Sequence, residues 1–232
     1  MNNWLSNSRI SSRTLYSLSS YAGVIAVAVM CTLMCASRLP DLSYNLSMRL
    51  IDEMTPRTLL SVDGKLVEEK VVEKADIDRN AHMNNARYIR ALNFSRRRFF
   101  YANGLWPVLK AKKLNMIVQA QMIRHRKDLK LGQKYYIHTR IIYWNDISKD
   151  ECFYLESQFI DEDNFVIAIH MVKYRVVSTI KDATVDLRPS SLLKEADLLN
   201  DDMHMQRHMS ESLRSWIESI DFSSKELNPS KK

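Results

Sequence analysis

Glycine is scarce in this chain of 232 residues: Gly23, Gly64, Gly104 and Gly132 are all there are, and no two lie within one motif's length of each other. Dinucleotide fingerprints, P-loops and nucleophile elbows need clustered glycines for tight turns or close backbone approach, so all three are excluded. Cysteine is rarer still. Three residues, with Cys31 and Cys35 inside one apolar run, build neither a C-x-x-C zinc framework nor a disulfide scaffold. Cys152 stands alone in the remainder and has no intrachain partner there, which suits cytosol and is allowed in a lumen. What is present, 46% hydrophobic and 26% charged residues, suffices for a buried core.

Acid is scarce in one place. Between Arg87 and Arg140 fourteen Lys and Arg stand against Asp128, a local net of +13; the whole chain carries +7, so the rest sums to −6. Such a stripe serves a solvated helix face with charged strand edges, a phosphorylated ligand, or an acidic membrane surface. Nucleic acid is set aside as a partner, because no RNA- or DNA-binding signature accompanies the charge.

Near the N-terminus Arg13 and Arg38 bracket 24 uncharged residues, of which Tyr21–Ala36 are almost wholly apolar. Roughly 20 helical residues cross a bilayer's hydrocarbon core, so 1–37 read as a membrane anchor. A cleaved signal peptide, cut near Cys35-Ala36-Ser37, is the competing reading. The expected location is the endoplasmic reticulum or another endomembrane, or outside the cell if cleavage occurs. Flanking charge (Arg9 and Arg13 before, Arg38, Arg49 and Arg57 after) does not fix which side the remainder faces.

Residues 38–62, punctuated by Pro40 and Pro56, read as a linker, 63–180 as the folded domain and 181–232 as a helical tail. Lys65–Val72 alternates as a strand. Tyr88, Leu92, Ser95 and Phe99 then stand at i, i+4, i+7 and i+11, one face of a helix that stops near Asn103-Gly104. Beyond it the period becomes two, predicting strands at Leu114–His125, Lys134–Trp144, Cys152–Ile160 and Phe165–Val177. One strand, a long helix and four strands make an α+β layout in which an antiparallel sheet wraps a buried helix. Ser190–Leu199 and Met203–Ile220 read as tail helices, with Ser223–Lys232 frayed.

The chemistry lies just before the long helix. Asp78, Asn80 and His82 occupy alternate positions, so an extended stretch would send all three side chains to one side. A carboxylate there attacks an acyl carbonyl or takes a proton from water, and an imidazole assists proton transfer. The helix N-terminus at Asn84 and Asn85 offers N–H groups to a developing oxyanion. The bland alternative is capping, for which Asn84 or Asn85 is the natural residue. Met203-His204-Met205 and His208-Met209 fit an amphipathic helix face, so no metal and no cofactor is implied.

The run DIDRNAHMNNARY resembles the motif of hotdog-fold thioesterases, most closely the D-x-N-x-H-x-N-N-x-x-Y pattern of plant acyl-carrier-protein thioesterases. HMNNARYIR at 82–90, RHRKDLKLGQKYYIHTRI at 124–141 and FYLESQFI at 153–160 are similar to the thioesterase superfamily member 6 family. The resemblance implies a hotdog fold and a homodimer whose sheets join edge to edge, with acyl thioesters hydrolysed at the interface. By residue match Asp78 takes the place of the catalytic acid, and Asn80 and His82 those of its partners. The plant enzymes carry a further acid or cysteine on the strand after the helix. Here Arg124-His125-Arg126 replaces it, and His125 is the auxiliary candidate.

The expected function is a membrane-anchored thioesterase-like protein hydrolysing or binding long-chain acyl-CoA, with Arg124, Arg126, Lys127 and Lys130 on the coenzyme phosphates or a membrane surface. A non-catalytic acyl-CoA or lipid-binding scaffold on an endomembrane is the alternative, favoured by the missing strand acid.

Overall fold

The computed structural model describes residues 44, 46–51, 54–59, 61–147, 149–180, 185–199 and 209–227. The candidate membrane segment and the Met/His run at 203–208 lie outside them. No helix among the described residues is long and apolar enough to cross a membrane. Two compact units divide at Leu50. The described residues of the first (44 and 46–50) are helical, and the second carries the elements below.

In order these are β1 (Leu66–Val71), a 3-10 turn (Lys74–Asp76), α1 (Asn85–Ala102), α2 (Leu105–Ala111), β2 (Leu114–His125), β3 (Lys134–Asn145), β4 (Cys152–Ile160), β5 (Val166–Ser178), α3 (Pro189–Glu195) and α4 (Glu211–Leu227). All five strands form one antiparallel sheet in the order β1-β3-β4-β5-β2. This sheet, with the long α1 packed on it, is the hotdog arrangement that the resemblance implies.

The starting point of α1 is chemical. Asn84, in extended conformation, accepts the Ala86 N–H on its side-chain oxygen at 2.9 Å and begins the helix. Gly104, at φ 77, turns the chain left-handed after it, a conformation that strains any other residue, and an added Cβ would also press on the Arg57 side chain at 3.1 Å. The face expected from spacing is the buried one: Tyr88, Leu92, Ser95 and Phe99 are all at most 2% exposed.

Two apolar clusters flank a polar seam between α1 and the sheet. Tyr88 and Leu92 pack with Ile137, Phe159 and Ala168 on one side, while Phe99 and Phe100 pack with Ile141, Leu155 and Val172 on the other. Across the seam Ser95 Oγ meets Thr139 Oγ1 at 3.2 Å, and Thr139 meets Ser157 Oγ at 3.0 Å. Ser157 faces His170 in register, whose Nε2 lies 3.3 Å from Gln121 Oε1. The hydroxyls satisfy one another, which lets three fully buried hydroxyl side chains sit in a core, while His170, also fully buried, leaves its Nδ1 without a hydrogen-bond partner.

The opposite face of the sheet is covered by α4, where Leu213, Trp216 and Ile217 pack with Cys152, Tyr154 and Met171. Burial pushes the Cys152 thiol up to about 11, the state of an inert packing residue. The tail differs from its sequence reading. Helix α4 begins at Glu211, after Ser210 accepts the Leu213 N–H, and runs on to Leu227 through part of the end expected to fray. Helix α3 stops at Glu195 because Asp197 turns to φ 57.

Burial, with the Arg96 charge adding to it, pushes the His170 imidazole down to about 3. The unfolded histidine keeps its ordinary value of 6.5, so as pH falls the unfolded chain takes the proton first. This contribution to stability is full above that value and is lost toward about pH 3, at up to ~1.4 kcal/mol per pH unit. Urea midpoints measured between neutral and mildly acidic pH should follow that slope, and His170→Asn should remove one proton's share of it.

Candidate functional site

The segment before α1 is a closed turn, not the extended stretch that would send Asp78, Asn80 and His82 to one side. Ile77 and Met83 bridge as antiparallel partners. Inside them the Asp78 N–H donates to the His82 carbonyl at 3.0 Å, and the Ala81 N–H to the Asp78 carbonyl at 3.1 Å. Asp78 Oδ1 accepts the Asn80 N–H at 2.8 Å, the local turn that aspartate favours. Asn80 therefore sits exposed at the turn tip and meets Asp78 through its backbone, not its amide. In this turn the three side chains separate into a pair and an outlier: Asp78 Oδ1 stands 3.9 Å from His82 Nδ1.

A second loop is tied to this turn. Leu129, fully buried between β2 and β3, accepts the Met83 N–H on its carbonyl at 2.8 Å. Asp76 secures the other side: its carbonyl accepts the Asn84 N–H at 2.8 Å, and its carboxylate lies 3.8 Å from Arg87. These ties bring the β2–β3 loop over the start of α1 and leave a pocket of about 230 Å³ between them. His82, Met83, Asn85 and Tyr88 line one side; His125, Arg126, Lys127 and Asp128 line the other.

Asn84 and Asn85 divide their roles. Asn84 caps the helix, and its oxygens already hold the N–H groups of Ala86 and Arg87, so less of the helix N-terminus is open to an oxyanion than the sequence implies. Asn85 lines the pocket. His125 reaches it as expected, its ring edge-to-face with Tyr88 at 4.6 Å. Desolvation lowers the His125 pKa and favours the neutral ring, and burial pushes the Tyr88 hydroxyl up to about 12 despite a backbone hydrogen bond from Leu129.

Three lining residues are not among the site residues that the sequence suggests. Met83 carries only a core signal, whereas Tyr88 both lies on the buried helix face and closes the DIDRNAHMNNARY motif. Asp128 puts an acid beside His125, from the loop beyond the strand where one was sought. It was visible as the single acid of the basic stretch.

Six of the fourteen cations in that stretch are paired by the fold among the described residues. Asp76, Glu68, Glu195, Asp161, Glu69 and Glu156, all outside it, pair with Arg87, Arg98, Lys112, Lys127, Lys134 and Arg140 respectively. Of the four expected phosphate contacts, Lys127 holds the buried Asp161 at 2.9 Å and Arg126 lies over Phe165, so both brace the loop. Arg124 and Lys130 are exposed. No group of three or more metal-ligating side chains occurs among the described residues.

Residues 72–196 match the model of the thioesterase-like superfamily. Protein THEM6 of Danio rerio is 33% identical over 138 residues, 59% of this chain and 66% of that protein. Protein THEM6 of Drosophila melanogaster is 29% identical over 151 residues, 65% of this chain and 70% of that protein. The chain thus spans about two thirds of the length of these curated relatives. A solved structure of YbaW, a probable thioesterase from Escherichia coli, is similar with 18% identity and a TM-score of 0.47 over 57% of this chain and 96% of that one.

The turn carries a specific weakness. Ala81 holds φ 61, a left-handed conformation that a side chain disfavours. Ala81→Val should cost about 1–2 kcal/mol because branching at Cβ worsens that clash, whereas Ala81→Gly should leave stability unchanged or raised. Thermal unfolding of the two variants checks the sign.

Proposed function

This chain belongs to the thioesterase-like superfamily, and we propose that it acts as a membrane-anchored homodimer that binds and hydrolyses long-chain acyl-CoA thioesters. The observation that carries the proposal is the pocket where the turn at 78–82 meets the β2–β3 loop, since it gathers two imidazoles at one helix end beside a basic loop. Arg124 near the end of β2 and Lys130 within that loop, both exposed, meet the phosphates of the coenzyme. The acyl chain runs beside α1.

Support for the dimer comes from the sheet edge. Among the described residues strand β2 pairs only with β5, and Ile117 and Val118 remain 47% and 44% exposed on it, an edge that suits a second copy. The anchor rests on the apolar run within residues 14–37. The scaffold reading keeps one observation in its favour: the Asp78 carboxylate is occupied by a backbone N–H and is not part of the pocket wall.

Full-length protein in detergent, assayed with palmitoyl-CoA for release of free thiol and separately for binding, tests both readings. Saturable hydrolysis is expected. A double Arg124→Glu, Lys130→Glu variant should raise KM about tenfold with kcat little changed, an effect that shrinks with added salt. Binding without turnover leaves the scaffold reading standing, and no binding overturns both.

A further inference from the structure

Hydrolysis of a thioester needs a group that takes a proton from water and returns one to the leaving sulfur. The two titratable side chains of the turn are placed differently for this. The His82 ring lines the pocket; Asp78 does not, and stands 3.9 Å away on the Nδ1 side of that ring. The turn fixes the order, since the Asp78 N–H is bonded to the His82 carbonyl and the Asp78 carboxylate to the Asn80 N–H. A carboxylate held in this way orients an imidazole more readily than it reaches a carbonyl carbon in the pocket.

We propose that His82 is the catalytic base and that Asp78 is a positioning residue acting through it, in place of a carboxylate that attacks the thioester itself. This rests on the hydrolase reading given above. Water adds through its oxygen to the thioester carbonyl carbon while His82 Nε2 takes the water's proton. Nδ1–H stays directed at Asp78, whose charge stabilises the imidazolium. The tetrahedral oxyanion then reforms C=O and the C–S bond breaks. The Nε2 proton passes to the departing thiolate, so one water is consumed and a fatty acid and free coenzyme A leave.

The present separation of Nδ1 and Oδ1 is an ion-pair distance; it needs to close to the hydrogen-bond range of about 2.6–3.2 Å when substrate fills the pocket. His125, on the opposite wall, is biased toward its neutral form by desolvation and does not oppose the charge that His82 acquires.

The test uses the full chain in detergent with palmitoyl-CoA. His82→Gln should lower kcat by roughly 10²–10⁴-fold, the range for a lost general base. Free imidazole should restore part of the turnover of His82→Gly, which a purely structural histidine would not allow. Asp78→Asn keeps an oxygen for the Asn80 N–H; it should lower kcat, be insensitive to imidazole, and change the His82 tautomer in ¹⁵N spectra from protonated Nδ1. A single turnover in H₂¹⁸O should leave the Asp78 carboxylate unlabelled. Label in Asp78, or near-normal turnover of His82→Gln beside an inactive Asp78→Asn, overturns the proposal. Wild-type protein that shows the Asp78-dependent tautomer but releases no coenzyme A overturns the hydrolase reading and keeps the pairing. Turnover with a tautomer indifferent to Asp78→Asn overturns the pairing alone.

Discussion

The contact between the Tyr88–Leu92–Ser95–Phe99 face of α1 and the sheet governs most of what is distinctive here. It divides the core into two apolar clusters joined by a seam of hydroxyls and His170. Hydrophobic burial is non-directional and would tolerate sliding of helix on sheet. Hydrogen bonds between Ser95, Thr139 and Ser157 are directional, and a shift along the helix axis would leave buried oxygens unpaired. With α1 fixed axially, its first turn and the residues before it are fixed as well.

The functional end of the molecule inherits that placement. Asn84 starts the helix where the face begins, the Ile77–Met83 bridge closes the turn, and the Leu129 carbonyl ties the basic loop to it. The pocket is the gap left between two loops that share one backbone hydrogen bond. Side chains named for chemistry also serve structure: Asp78 holds its own turn, and Lys127 braces Asp161. These same contacts hold His82 and His125 in the pocket walls.

Much of the fold was legible because the burial period of each element is written locally. The α1 face and the strand Leu114–His125 follow from spacing alone, since a half-buried helix and a half-buried strand impose different periods. The tail was less legible. Helix α4 lays Leu213, Trp216 and Ile217 on the outer sheet face, and nothing local announces that a distant surface will stabilise a helix through Leu227. In the site, His82 and His125 were nameable from the motif and its strand neighbour. Asn80 stands apart, because alternation implies a common side only in extended chain and Asp78 bends the backbone by binding the Asn80 N–H.

The +13 stretch marks the boundary between the two kinds of information. By itself the sequence determined the absence of glycine-built phosphate loops, the α+β element order, the buried helix face and the motif with its acid, amide and imidazole. These depend on residue type and short spacing. Only the tertiary structure decided which charges remain free and which side chains share a pocket. Antiparallel pairing sets Arg140 opposite Glu156, and helix docking brings Arg98 to Glu68. Coulomb attraction and loop closure act between residues far apart in the chain, so their outcome is fixed by distance in space.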